Sequence, residues 1–177
     1  VDVTASNHAF NLAAAAAISG KRPLLWAEIF AGGIGGSISR SRPGVDPVPQ
    51  LARARLSQWY ADQNVPFPAP SGDSYAVEIE GTPLLADDAD VSVITAHLAR
   101  FVIDTALARS PSAFPVSAYV IAMKEGWMFT QPFQTWPIDI GGPAPETDSA
   151  CNLETVTRGI ASLTDIIGKR DASSPSK

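Results

Sequence analysis

The sequence predicts an α/β fold: a mixed sheet with packed helices and a C-terminal β-hairpin. Three observations predict it. A strand end, a helix and an apolar strand follow one another within the first 30 or so residues, the pattern of a βαβ unit with a parallel strand pair and a right-handed crossover. A clean amphipathic helix lies past the midpoint, with Ile94, Leu98, Phe101, Val102 and Thr105 on one stripe. Two short runs rich in aromatic and β-branched residues, 117–124 and 127–131, flank Lys124-Glu125-Gly126 and read as a hairpin.

Element by element, Val1–Thr4 reads as the end of a strand. The chain opens there without a Met, so preceding sequence is expected, because an isolated first strand would leave its ladder groups unsatisfied. Ser6 is a good N-cap for a helix over 7–19, and Gly20 sits where a C-terminal glycine is favoured. The run Leu12–Ile18 is alanine-rich but has no basic segment before it, so it reads as a packed helix and not a signal-peptide core. Pro23–Phe30 is a short apolar run bounded by turn residues, hence a buried strand. After the glycine run 32–36, residues 37–42 (SISRSR) alternate with period two, as a strand does. Residues 43–87 are punctuated by proline. They hold a helix over about 48–63 and a short strand over 75–80. The acids at 87, 88 and 90 open the helix of about 91–109 and suit its dipole. Residues 132–145 read as an aromatic, proline-rich loop and 151–168 as a last helix. Residues 169–177 are a polar tail predicted to be disordered. The domain is therefore expected over residues 1–168.

Bulk properties narrow the function. The chain has 177 residues, 45% hydrophobic and 18% charged, which suits one globular domain and not a disordered chain. A net charge of -5 argues against non-specific nucleic-acid binding, which wants a basic surface. No run reaches the roughly 18–20 apolar residues that span a bilayer, so no membrane partner is expected. With one cysteine, Cys151, there is no internal disulfide, and a reducing, cytoplasmic setting is expected. The two histidines, His8 and His97, assemble no metal cluster with it, and His97 reads as a structural residue of its helix. A lone cysteine at a helix start could carry a thioester, but no histidine pairs with it in sequence.

Two places carry possible chemistry. Asp2, with Thr4, Ser6 and Asn7, lies where a strand turns into a helix, the ligand-binding end of open α/β sheets. A carboxylate there can bind magnesium or orient a phosphate; equally, Asp2 and Ser6 can simply cap the helix. The glycines Gly32, Gly33, Gly35 and Gly36 follow a strand, as phosphate loops do. From Gly33 and Gly35, however, the third glycine of a G-x-G-x-x-G falls on Ile38, and no helix follows. They read as a glycine-rich turn, which can also let an extended peptide tail approach closely. The acids Asp87, Asp88 and Asp90 could bind a metal but read as helix capping.

The stretch 1–44, VDVTASNHAFNLAAAAAISGKRPLLWAEIFAGGIGGSISRSRPG, resembles the middle of ThiF/MoeB-type adenylyltransferase domains, which ubiquitin-activating enzymes also contain. Those run from a strand ending in D-x-T-D-N through a helix to a strand of the type kPl, then a glycine turn and a further strand. Asp2-Val3-Thr4 matches D-x-T. Ala5 stands where the family has a second aspartate, Ser6 stands at the Asn position, and Asn7 follows one residue late. Residues 90–107 and 117–140 resemble later parts of the bacterial type, so the resemblance covers about residues 1–140. It implies the distal half of a Rossmann-like domain, with residues 43–87 as a crossover segment over the active site and the ATP loop upstream. It further implies activation of the C-terminal carboxylate of a ubiquitin-like or sulfur-carrier protein, with ATP and Mg2+ as cofactors held mainly by the upstream half. Asp2 would serve as catalytic and metal-binding residue, Thr4, Ser6 and Asn7 would sit at the nucleotide, the glycine turn would meet the substrate tail, and the assembly would be a homodimer. The reading of another class is a non-catalytic interaction or dimerisation module using Trp127, Phe129, Phe133 and Trp136.

Overall fold

A computed structural model describes residues 1–3, 6–63, 76–79, 82–126 and 128–143. Helix α1 (Asn7–Ser19) begins where the Ser6 side chain accepts a hydrogen bond from the Ala9 N–H at 3.3 Å. Gly20, in a right-handed conformation, continues its last turn, and Lys21 takes the left-handed position at φ 48° instead. Strands β1 (Leu24–Phe30) and β2 (Gly35–Ser41) form an antiparallel hairpin around a short 3-10 turn, Ala31–Gly33. Then come α2 (Pro49–Asp62), the small hairpin β3 (Ala76–Ile79) and β4 (Thr82–Leu85), α3 (Asp88–Ala106), β5 (Ala118–Ala122) and β6 (Thr135–Ile138).

The main sheet has the order β1-β2-β5-β6, and every pair is antiparallel. This corrects the mixed sheet expected from the sequence. The βαβ pattern survives as one parallel bridge, Asp2 to Trp26. There the Asp2 N–H donates to the Leu25 carbonyl at 2.8 Å and the Ala27 N–H donates to the Asp2 carbonyl at 3.2 Å. A Rossmann-like parallel sheet is not what these strands form. The C-terminal hairpin is also rebuilt. Residues 128–131 form no strand; Gly126 and Phe129 make an isolated bridge, and Phe129 is buried. The partner of β5 is β6, inside the segment expected to be loop. Pro137 concealed it: proline cannot donate to a ladder, and here it is tolerated on a strand that is the sheet's edge among the described residues.

Helices cover both faces of the sheet. Leu24, Trp26, Ala118, Val120 and Ile138 pack beneath Phe10 and Ala14 of α1 and Ala52, Leu56 and Tyr60 of α2. Leu25, Ile29, Ile38, Ile121 and Met123 pack beneath Ile94, Leu98 and Phe101 of α3, the stripe expected from the sequence. With both faces covered, all seven residues of β2 are buried, polar ones included. The start of α3 is a capping box: the Asp90 N–H donates to Asp87 Oδ1 at 2.8 Å and the Asp87 N–H donates to Asp90 Oδ2 at 3.4 Å. The helix expected over 151–168 and the tail after it lie outside the described residues.

Gly36 lets α3 lie directly on β2. A Cβ there would come within 2.7 Å of Ile94 Cδ1 and 3.0 Å of the Glu28 carbonyl. Gly36→Ala should therefore destabilise the fold by about 1–3 kcal/mol. Ile94→Val, which thins that side chain, should recover part of the loss in the double variant, giving a non-additive cycle in denaturant titrations.

Candidate functional site

The first candidate site grows from the parallel bridge. A parallel bridge to Trp26 of β1 fixes Asp2, and the residue is buried. Helix α1 starts a few residues on, and its Phe10 ring meets Trp26, the bridge partner of Asp2, edge-on at 5.4 Å between centroids. Behind lies Glu28, the one charged residue in the apolar run of β1. Arg53 of α2 reaches over the ring of Phe10, its guanidinium carbon 4.9 Å from the centroid. It donates from Nε to Glu28 Oε1 at 3.0 Å, from Nη2 to the same oxygen, and from Nη1 to Asn7 Oδ1. One guanidinium thus ties β1, the first turn of α1 and α2 together.

Burial pushes the Glu28 carboxyl above its ordinary range. Arg53 pulls it back by charge and hydrogen bonding, the nearby Asp2 charge pushes it up again, and the net direction is upward. Glu28 Oε2 and the Trp26 indole N–H are both buried and make no hydrogen bond among the described residues, although the indole lies near enough to favour the ionised carboxyl. The fully buried Tyr60 hydroxyl lies beside Ser37 and Glu28, and burial raises its pKa well above the usual value.

The residues singled out from the sequence distribute as follows. Asp2 and Asn7 belong to this cluster; Ser6 caps α1 at its exposed edge; Thr4 lies outside the described residues. Gly32, Gly33, Gly35 and Gly36 are buried, well separated from the Asp2 segment in the hairpin register. Gly33 has φ 80°, and a Cβ on it would come within 2.5 Å of Asp90 Oδ2. At Gly33 and Gly36 the close approach that glycine permits is used by α3 itself. Lys124 Nζ pairs with Asp90 Oδ2 at 2.8 Å, completing a structural role for that acidic run. No group of three or more His, Cys, Asp or Glu side chains suited to a metal occurs among the described residues. Of the aromatic segment, Phe129 is buried, Trp136 packs on it at 5.1 Å between centroids, and Phe133 is 68% exposed. Trp127 and Cys151 lie outside the described residues. No helix among the described residues is long and apolar enough to cross a membrane.

A second polar centre lies on the other face, and the sequence reading missed it. Arg40 of β2 is 1% exposed. It donates to Ser117 Oγ from Nε, to Asp104 Oδ2 and Thr105 Oγ1 from Nη1 (3.1 Å each), and to Ser112 Oγ and the Phe114 carbonyl from Nη2. Its guanidinium carbon stands 4.4 Å from the centroid of Phe101. Next to it, Arg42 grips Asp46 from Nε at 2.8 Å and Nη2 at 3.1 Å, and Ser117 joins the two pairs by donating to Asp46 Oδ1 at 2.6 Å. Burial pushes the Asp46 carboxyl up, but hydrogen bonds from Arg42 and Ser117 outweigh it and leave it below the ordinary range. Asp104 is held down by hydrogen bonds from Ser112 and the Ala113 N–H, against burial and with help from Arg40. The available signals were the Arg42-x-x-x-Asp46 spacing and two arginines alternating with serines in a strand.

No protein family matches the chain, and no curated protein or solved structure does either.

Two outcomes test the arginine centre. Arg40→Met leaves Asp104 without its buried partner and should cost about 3–5 kcal/mol in chemical denaturation. Asp46 and Asp104 bind protons less tightly folded than unfolded. Their contribution is therefore fully present above about pH 4 and lost as pH falls through their lower folded values. Acid titration of stability should show that loss, and Asp46→Asn should flatten it.

Proposed function

We propose that the chain is the distal part of an ATP-dependent adenylating domain that activates the C-terminal carboxylate of a ubiquitin-like or sulfur-carrier protein. One observation carries the reading: a buried aspartate makes a parallel bridge to Trp26 of β1 a few residues before helix α1. The succession of Asp2 segment, helix, strand, glycine turn and strand is the order that the resemblance of residues 1–44 requires.

In the proposed reaction a carboxylate oxygen of the substrate protein attacks the α-phosphorus of ATP, the new P–O bond forms, and pyrophosphate leaves. Asp2 supplies a single carboxylate, which suits Mg2+ in its usual arrangement of one or two protein carboxylates with phosphate oxygens and waters. The ion would neutralise phosphate charge there. The chain's own contribution is rigidity. Arg53 locks Glu28 and Asn7 to one another, which fixes the end of β1 against α1 and keeps the Asp2 segment in register. The G-x-G-x-x-G loop that such chemistry needs is not among these 177 residues, so the chain by itself is expected not to turn over ATP.

The reading of another class, an interaction or dimerisation module, draws on exposed Phe133 and the edge position of β6. In either case a homodimer is the proposed assembly and a cytoplasmic setting the proposed location. ATP–pyrophosphate exchange separates the two readings. The full-length protein should catalyse it, and Asp2→Ala should slow it roughly hundredfold. Full exchange in the variant removes Asp2 from the mechanism, and no exchange in the unaltered full-length protein leaves the module reading in its place.

A further inference from the structure

We infer that the cavity beside the last turn of α3 is a binding site for a small solute bearing a phosphate group, a site independent of the adenylation reading. The cavity measures about 290 Å³ and is lined chiefly by Pro23, Arg40, Arg42, Asp104, Arg109 and Ser112. That size is near the lower end of small-molecule pockets, roughly 300–1,000 Å³, so it suits a compact ligand.

The donors decide the sign of that ligand. Both carboxylates of the centre are saturated from within. Asp104 accepts from Arg40, Ser112 and the Ala113 N–H, and Asp46 accepts from Arg42 and Ser117. Arg40 is saturated too, with every nitrogen engaged. The other two guanidinium groups are not. Arg42 engages Nε and Nη2, and its Nη1 makes no hydrogen bond among the described residues. Arg109 is exposed, and its side chain makes no hydrogen bond or ion pair among the described residues. Three arginines against two aspartates leave one positive charge unbalanced. The C-terminal end of α3 opposes this with a partial charge of about half an electron, less than the excess.

The geometry of the open donors selects the anion. Arg42 Nη1, after β2, and the whole fork of Arg109, after α3, are donors on different segments that can meet separate oxygens of a tetrahedral phosphate. A planar carboxylate offers a single edge to one fork.

The test is calorimetric titration of the full 177-residue chain at constant ionic strength, with inorganic phosphate, glycerol phosphate and acetate as probes. Saturable phosphate binding is expected, at least about tenfold weaker in Arg109→Ala and partly retained in Arg109→Lys. Because the Arg109 side chain is exposed and unengaged, both variants should keep the wild-type melting temperature. Binding of glycerol phosphate as tight as phosphate assigns the site to phosphorylated solutes, and binding of phosphate alone assigns it to the free ion; both support it. No saturable binding, the same affinity in Arg109→Ala, or acetate binding as tight as phosphate overturns it.

Discussion

Arg40 is the constraint around which the α3 side of the molecule is arranged. A guanidinium carried into a sheet covered on both faces costs several kcal/mol in lost hydration unless its donors and charge are met. Here they are met by groups far apart in the chain: Asp104 and Thr105 at the end of α3, and Ser112, Phe114 and Ser117 in the segment leading to β5. Each is thereby fixed relative to β2. The same requirement explains why that segment, though without regular structure, follows one path: the Asp104 carboxylate also takes the Ala113 N–H, and the Phe114 ring closes on Phe101 at 4.9 Å. A buried ion pair of this kind adds little net stability compared with apolar packing of the same volume, but it tolerates few alternative arrangements once one partner is in place.

The opposite face depends on a looser version of the same device. Arg53 is partly exposed, and it meets one oxygen of Glu28 while the other oxygen is buried without a hydrogen bond. Burial, with the nearby Asp2 charge, raises the affinity of Glu28 for a proton, and Arg53 only partly offsets it. One face thus holds its charges in a closed network, and the other holds a carboxyl that burial pushes above its ordinary range. Perturbed carboxyls occur at functional sites and in structural ion-pair networks alike, and both faces of this sheet carry them.

What could be read from the sequence was local. The Ser6 cap and the alanine-rich run define α1; the acids at 87–90 and the stripe from Ile94 to Phe101 define α3, whose start is shifted because Asp87 and Asp90 form the cap. The first part of the glycine run is legible as a turn, but Gly35 and Gly36 belong to β2. Strand pairing was not legible, because period-two alternation gives a strand's faces and not its neighbours. Residues 127–131 have the right composition for a strand, yet Phe129 turns into the core and hands the ladder to Thr135–Ile138. Of the Asp2 cluster, the strand-end aspartate was visible. Glu28 and Arg53 were not joined to it, since contacts between residues 25 apart leave no local spacing; the only clue was one carboxylate in an apolar strand.

The two polar centres share β2 and its hairpin partner, and that bears on how they could communicate. Ser37 and Ser39 face α1 and α2 alongside Glu28 and Trp26, while Gly36, Ile38 and Arg40 face α3. A displacement of β2 along its own axis would therefore disturb both centres at once. The backbone bonds to β1 and β5 oppose such a slip, and so does Gly36, which seats Ile94 too closely for the strand to slide beneath it. The hairpin is best regarded as a rigid partition. Ligands on either face would meet preformed sites, and coupling between them would require a second packing of Ile94 on β2, for which the close contact at Gly36 leaves little room.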